Sequence, residues 1–431
     1  MTKLALINFS SENSIGGNCL LLYDKDYGLL IDMGLSLDTL SSLPGFPRDQ
    51  FVYFYPKSLL FNIGLFPMQY SELIKHKLPD TIIISHPHID HYGALPLIEY
   101  SGIEVITGKT TIDLIEKWLL KRAKSGEYDY IRNQRTKEGY FYHTFLEEGK
   151  PYTIKKQDWE IHAIPVPHST IECFSFVIVT PDLNIFYTGD FLDWTYVEKK
   201  VRLNILQYLE EKGIKTDVLI TEGTTVGRTV KYSSESEIIR TLEYVLQNTI
   251  GSTFIEIPIH NFRLQEKILL ALRKMSKYRQ IRVSRTLFEE AMKYRPDMKG
   301  LYKEYVFVSS DKVLPRDIII VEEGNYDEKL KLISEIQHYL GKNPSTYFFV
   351  SDVESSMAQG SEIEKFIQLL RILKLDVYYE PVSGHISPLK LWSFIQKLNP
   401  KLVVPIHSNY EKYFDRLDVN VDRRRRVNLL S

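Results

Sequence analysis

At 431 residues the chain is long enough for two domains, or for one domain carrying a large insertion. Hydrophobic residues make up 44% and charged residues 25%, ordinary values for a soluble globular protein with a sizeable core. The formal net charge of −1 excludes a global basic field, so any polyanion must meet a local patch. Two cysteines, Cys19 and Cys173, argue against a disulfide framework and fit a reducing cytoplasm. No apolar run approaches the roughly 20 residues of a bilayer span, so no membrane partner is expected. The stretch Met1–Asn8 lacks the form of a targeting segment.

Leu4–Phe9 and Cys19–Tyr23 read as strands parted by a turn at Gly16-Gly17, and Gly28–Gly34 as a third strand that ends near Asp32. An aspartate at a strand end, followed by glycine, is often just a turn residue, which is the rival reading of Asp32. Residues 43–70 crowd Phe46, Phe51, Tyr53, Phe54, Tyr55, Phe61, Phe66 and Tyr70 among prolines and glycines. This stretch reads as an insertion folded onto its own domain, with a base-stacking rim as the rival.

The next element dominates the chain. The apolar run Thr81–Ile84 breaks into Ser85-His86-Pro87-His88-Ile89-Asp90-His91. Four ligating side chains stand in six positions, and imidazole with carboxylate suits zinc or a similar first-row ion. Pro87 cannot extend the strand, so the cluster is expected on a loop at a strand end. His86 and His88 can bind one ion, and Asp90 and His91 a second.

Beyond it, a helix is expected from Gly93 to Ile98, a strand at Ile103–Thr107 and a helix at Thr110–Lys124. Residues 128–149 read as a loop with short strands. Strands follow at Tyr152–Ile154 and Trp159–Pro165, then a rigid turn that presents His168. Cys173–Val179 and Asn184–Tyr187 are further strands, the second running into Asp190. Val218–Thr224 repeats the arrangement with Glu222, which alone reads as a cap or surface acid. From about Gly227 strands and helices alternate, as in a small parallel α/β layer, with a Ser-x-x-Glu helix start at Ser234 and Glu237. The chain then returns to two more sites, Ser383-Gly384-His385 and Val403–His407. The basic run Arg423–Arg426 reads as solvated surface, with nucleic-acid contact as the rival. His76, His143, His162, His260 and His338 read as ordinary core or surface histidines.

Polar residues thus follow strands at Asp32, at 86–91, and at His168, Asp190, Glu222, His385 and His407. Ligands from strand ends can converge on one sheet edge. Two ions need about seven protein ligands and a bridging water. His86, His88 and His168 suffice for one ion. Asp90, His91 and His407 suffice for the other, with Asp190 bridging.

This set resembles the metallo-β-lactamase superfamily, with Asp32, His86 to His91, His168 and Asp190 matching its four motifs. Glu222, His385 and His407 look like the three extra motifs of the β-CASP nucleases. Ala358–Glu362 and Ser383-Gly384-His385 look like ribonuclease J. The resemblance implies an α/β fold: a metallo-β-lactamase αββα sandwich with an inserted β-CASP α/β domain. The expected domains are 1–227 (sandwich, first part), 228–380 (β-CASP) and 381–431 (sandwich, return segment). Departures are Pro381 and His407-Ser408-Asn409, where ribonuclease J carries a histidine and His-Gly-Glu, and the turn Ile259–Phe262. The first departure puts in doubt the same handling of a 5′ phosphate. The sequence ends 24 residues after His407 (431 − 407), so the C-terminal domain of ribonuclease J is expected to be absent.

The resemblance implies a cytoplasmic, zinc-dependent ribonuclease with two ions per chain, manganese being the alternative metal. It would hydrolyse single-stranded RNA with a metal-activated hydroxide in a cleft between two domains. Asp90 and Asp190 belong to the metal set, Asp32 orients a ligating histidine, His385 is the general acid and Glu222 orients it. Ser383, Gly384, Gln359 and Arg263 are the expected substrate contacts. The rivals are a single-stranded DNA nuclease, a small-molecule hydrolase and a non-catalytic RNA-binding subunit. A homodimer stays open.

Overall fold

The computed structural model describes residues 4–10, 14–42, 57–66, 79–95, 103–124, 142–147, 150–154, 157–197, 202–228, 232–275, 279–303, 305–309, 312–340, 345–351 and 362–429. The chain divides into two compact units, Met1–Arg228 with His385–Ser431, and Thr229–Gly384.

The first unit holds two sheets. One contains β1 (Ala5–Asn8), β2 (Leu20–Tyr23), β3 (Gly28–Ile31), β4 (Thr81–Ile83), β5 (Glu104–Thr107) and β6 (Tyr142–Phe145) in that spatial order. The other contains β7 (Pro151–Ile154), β8 (Trp159–Val166), β9 (Cys173–Val179), β10 (Asn184–Tyr187) and β11 (Val218–Glu222), again side by side in chain order.

The second unit supplies β12 (Thr253–Ile257), β13 (Ile281–Val283), β14 (Val306–Phe307), β15 (Ile318–Glu322), β16 (Thr346–Ser351) and β17 (Asp376–Pro381). The return segment then adds β18 (Leu402–Ile406) beside β11, and β19 (Arg426–Asn428) antiparallel to β1.

The inner strands of the first unit, such as β3, β4 and β10, are apolar on both faces because both faces are covered. In β3 and β4, Leu29, Ile31 and Ile83 turn toward the other sheet and meet Ile161, Phe176, Tyr187, Ile220 and Val404. The intervening Leu30 and Ile82 face the opposite way, onto Ile112 and Ile115 of the helix Lys109–Lys124. The outer face of the second sheet, with Phe186 and Leu219, packs on Tyr208 and Leu209 of one helix and on Leu391 and Phe394 of the helix Pro388–Leu398. This helix–sheet–sheet–helix layering is the expected sandwich. Within residues 43–70, Leu60, Leu65 and Phe66 join the core of this unit; 43–56 and 67–70 lie outside the described residues.

The second unit is a six-stranded sheet in the order β14-β13-β15-β12-β16-β17, parallel throughout. One face buries Phe254, Ile319, Tyr347 and Phe349 against Ile333 and Ile336 of the helix Tyr326–Leu340 and Phe366 of the helix Glu362–Ile372. The helix Glu235–Asn248 begins with a capping box, Ser234 and Glu237 each satisfying the other's backbone N–H, as the Ser-x-x-Glu spacing predicts.

Candidate metal centre

In the first unit β3 and β4 are parallel, as are β10, β11 and β18, and β8 runs the same way through two antiparallel steps. Residues that follow these strands therefore gather at their carboxyl ends. Asp32 stands just past β3 with φ 55° and is fully buried. His407 stands just past β18 with φ 51°. The cluster after β4 departs from the expected loop in one respect: Ile89–Tyr92 is a helical turn, so Asp90 and His91 stand on helix while His86 and His88 precede it. Gly34 makes room for this turn, since a Cβ there would lie 1.4 Å from the Asp90 carbonyl oxygen. No Cβ-bearing residue can approach so closely.

Three groups of donor atoms result. His86, His88 and His168 lie within 4.8 Å of one another; so do Asp90, His91, Asp190 and His407; so do Asp190, Glu222, His385 and His407. Asp190 is the hub. Its Oδ2 lies 3.9 Å from both His86 Nε2 and His168 Nε2, 3.1 Å from His91 Nε2, 3.7 Å from His407 Nε2 and 3.8 Å from His385 Nδ1. His407 Nε2 is 3.0 Å from Asp90 Oδ2, and His385 Nδ1 is 2.8 Å from Glu222 Oε2. Segments as far apart as 90 and 407 thus enclose one polar volume.

Comparison with known proteins matches residues 65–237 to the Beta-lactamase superfamily domain. Ribonuclease J of Helicobacter pylori is 22% identical over 415 residues, which is 92% of this chain and 55% of that protein. Ribonuclease J 2 of Streptococcus pyogenes is 22% identical over 95% of this chain and 70% of its own length. Endoribonuclease ysh-1 of Neurospora crassa is 25% identical over 52% of this chain and 24% of its own length. The chain is similar to ribonuclease J and to other β-CASP nucleases. A solved protein of unknown function from Enterococcus faecalis shares the fold, with TM-score 0.69 and 18% identity over 99% of both chains. The chain spans about half the length of the Helicobacter relative.

A divalent cation suits this site. His86 Nε2 and Asp190 Oδ1 are buried with no hydrogen-bond partner, which is costly for polar atoms unless a cation takes them up. Burial, then the neighbouring imidazoles His91, His88 and His168, holds the His86 pKa well below its usual value. Burial and His168 hold His88 at about 3. Both rings are therefore neutral at pH 7, the form that binds metals. Around Asp190 the balance reverses. Burial opposes charge on His91, but the carboxylates of Asp190, Asp32 and Asp90 outweigh it and raise its pKa well above normal. Burial disfavours the Asp90 anion too, yet His91 and His407 bring it down to about 2. This second group calls for positive charge.

Around these ligands stand residues that carry only a weak sequence signal. Asp32 accepts from the Ser85 backbone N–H at 2.7 Å, the Ser85 hydroxyl at 2.8 Å, His91 Nδ1–H at 2.7 Å and the Tyr187 hydroxyl. Thr224 Oγ1 lies 2.6 Å from Glu222 Oε2 and 2.7 Å from His407 Nδ1. Asn18 Nδ2 lies 3.0 Å from His91 Nε2. Ser85 directly precedes His86 and Thr224 stands two positions after Glu222, so a hydroxyl close to a ligand or acid in sequence is the signal that points to them. Of the expected substrate contacts, Arg263, Ser383 and Gly384 fall in the second unit, where Arg263 pairs with Glu235 at 3.4 Å; Gln359 lies outside the described residues.

Among the described residues, His162, His260 and His338 take no part in the centre. His162 bonds Tyr208 at 3.0 Å, and His260 bonds Glu290 at 3.1 Å. His338 stands on the helix Tyr326–Leu340, and His76 and the side chain of His143 lie outside the described residues.

Proposed function

We propose that this chain is a zinc-dependent ribonuclease that hydrolyses phosphodiester bonds of single-stranded RNA in the cytoplasm. The observation that carries the reading is the donor set around Asp190, with the His385–Glu222 pair beside it. His86, His88 and His168 would hold one ion. Asp90, His91 and His407 would hold the second, with Asp190 shared. Bound there, the ions supply Lewis acidity, making a water more acidic and offsetting phosphate charge.

The chain's own residues do the rest. Asp32 accepts Nδ1–H of His91, so Nε2 is the nitrogen of that ring that would face an ion. Glu222 accepts Nδ1–H of His385, which leaves the opposite nitrogen of the ring for the substrate. His385 then donates a proton to the leaving 3′ oxygen. Ser383, Gly384, Gln359 and Arg263 are assigned to the RNA backbone by resemblance. The unit Met1–Arg228 with His385–Ser431 is the metallo-β-lactamase domain in this reading, and Thr229–Gly384 the β-CASP domain.

The test is incubation of zinc-loaded protein with 5′- and 3′-labelled RNA and single-stranded DNA. A ladder from RNA supports the reading and reports polarity. Cleavage of DNA alone makes it a DNA nuclease, and cleavage of neither leaves a binding subunit.

A further inference from the structure

We infer that two hydroxyl groups, those of Thr224 and Ser85, are positioning residues that set which ring nitrogen of His407 and His86 is left bare for a cation. The inference rests on the reading of the site as a divalent-metal centre.

Thr224 is 1% exposed and its hydroxyl carries a single proton. Glu222 Oε2, at 2.6 Å, is a carboxylate oxygen and can only accept, so that proton goes to Glu222. His407 Nδ1, at 2.7 Å from the same hydroxyl oxygen, must then donate its own proton. Hydrogen is thereby fixed on Nδ1, so Nε2, the nitrogen that faces Asp90 at 3.0 Å and Asp190 at 3.7 Å, is the one that would give up its proton to a cation.

The same arrangement occurs on the other side of the centre. The Ser85 hydroxyl donates to Asp32 Oδ2 at 2.8 Å, and His86 Nδ1, at 3.0 Å, donates to Ser85 Oγ. Nε2 of His86 is left bare, and it is the buried nitrogen without a partner. Each carboxylate thus serves one imidazole directly and a second through a hydroxyl. Asp32 holds His91 and, through Ser85, His86. Glu222 holds His385 and, through Thr224, His407. Two independent instances of one geometry, built from segments far apart in sequence, make a chance contact a poor explanation. A valine at 224 has the shape of threonine but cannot accept from His407, whose ring is then free to adopt the wrong tautomer or turn away.

The test measures Zn²⁺ binding to the full chain by competition with a chromophoric chelator, with no nuclease assay involved. The unsubstituted chain is expected to hold two ions. Thr224→Val should weaken one of them by about 10- to 100-fold, the usual effect of removing such a partner. Thr224→Ser, which keeps the hydroxyl, should restore it. Ser85→Ala should weaken the other ion, and the double variant both. Wild-type affinity in Thr224→Val overturns the inference. So does equal weakness in Thr224→Ser, since packing rather than the hydroxyl would then be responsible. A chain that binds no Zn²⁺ before substitution overturns the metal reading beneath it, and is told apart because the unsubstituted protein fails.

Discussion

Replacing His385 with alanine separates a proton donor from a metal ligand. The His385 side chain is 14% exposed, the most accessible of the groups around Asp190, and reaches Glu222 at 2.8 Å. The groups His86–His88–His168 and Asp90–His91–Asp190–His407 are complete without it, so both ions should remain. What is lost is proton delivery to the leaving oxygen. A general acid contributes about 10²- to 10⁴-fold, so kcat should fall by that factor, about 2.7–5.4 kcal/mol of barrier. KM should change little, because the ring acts late in the reaction. Steady-state cleavage of a labelled single-stranded RNA, run beside elemental analysis of the same preparation, reads both quantities. The third donor group, Asp190–Glu222–His385–His407, offers the opposing result. If His385→Ala loses an ion along with activity, the ring is a ligand and the reasoning fails.

Removing zinc with a chelator should abolish cleavage and lower the melting temperature, with both recovered on adding Zn²⁺. At 100 times Kd a bound ion stabilises the fold by about 2.7 kcal/mol, so an unchanged melting curve would refute occupancy of the site. Gly34→Ala places a carbon 1.4 Å from the Asp90 carbonyl and must push the cluster backbone aside. Zinc binding should be lost at a cost of about 1–3 kcal/mol or more in chemical denaturation; a variant that binds zinc normally contradicts this packing. In the second unit, Lys329 Nζ and Glu256 Oε2 form a buried ion pair at 2.8 Å. Lys329→Met should cost about 3–5 kcal/mol at pH 8 by denaturant unfolding. Burial already raises the Glu256 pKa, and loss of the cation raises it further. A raised folded-state carboxyl pKa means stability is lost as pH climbs through it, so the variant should be more stable at pH 5 than at pH 8 relative to wild type. A flat pH profile would refute the argument.

Several positions around the centre were legible because they follow an apolar run, and a polar residue at such a point is conspicuous. Asp32 after Leu29-Leu30-Ile31 and His407 after Val403-Val404-Pro405-Ile406 show this plainly. The layers were legible for the same reason, since strands apolar at every position need cover on both faces. What sequence alone could not show is which far residues touch. Tyr187 closes the run Asn184–Tyr187 and reads as core, yet its hydroxyl donates to Asp32, 155 positions away. Thr224 looks like a strand-end threonine until β11 and β18 lie side by side. The short helix at Ile89–Tyr92 escaped notice because Pro87 and the polar spacing suggest a loop.

The placement of β18 bears on how the protein is made. Asp90, His91, His168 and Asp190 leave the ribosome first, and the whole of 229–384 follows before His385 and His407 appear. Translation that stalls anywhere before β18 therefore yields a fragment without the ring that meets Asp90. In the proposed reading such a truncated product carries most of the catalytic parts but stays inert, so an unfinished chain cannot attack the message still being decoded.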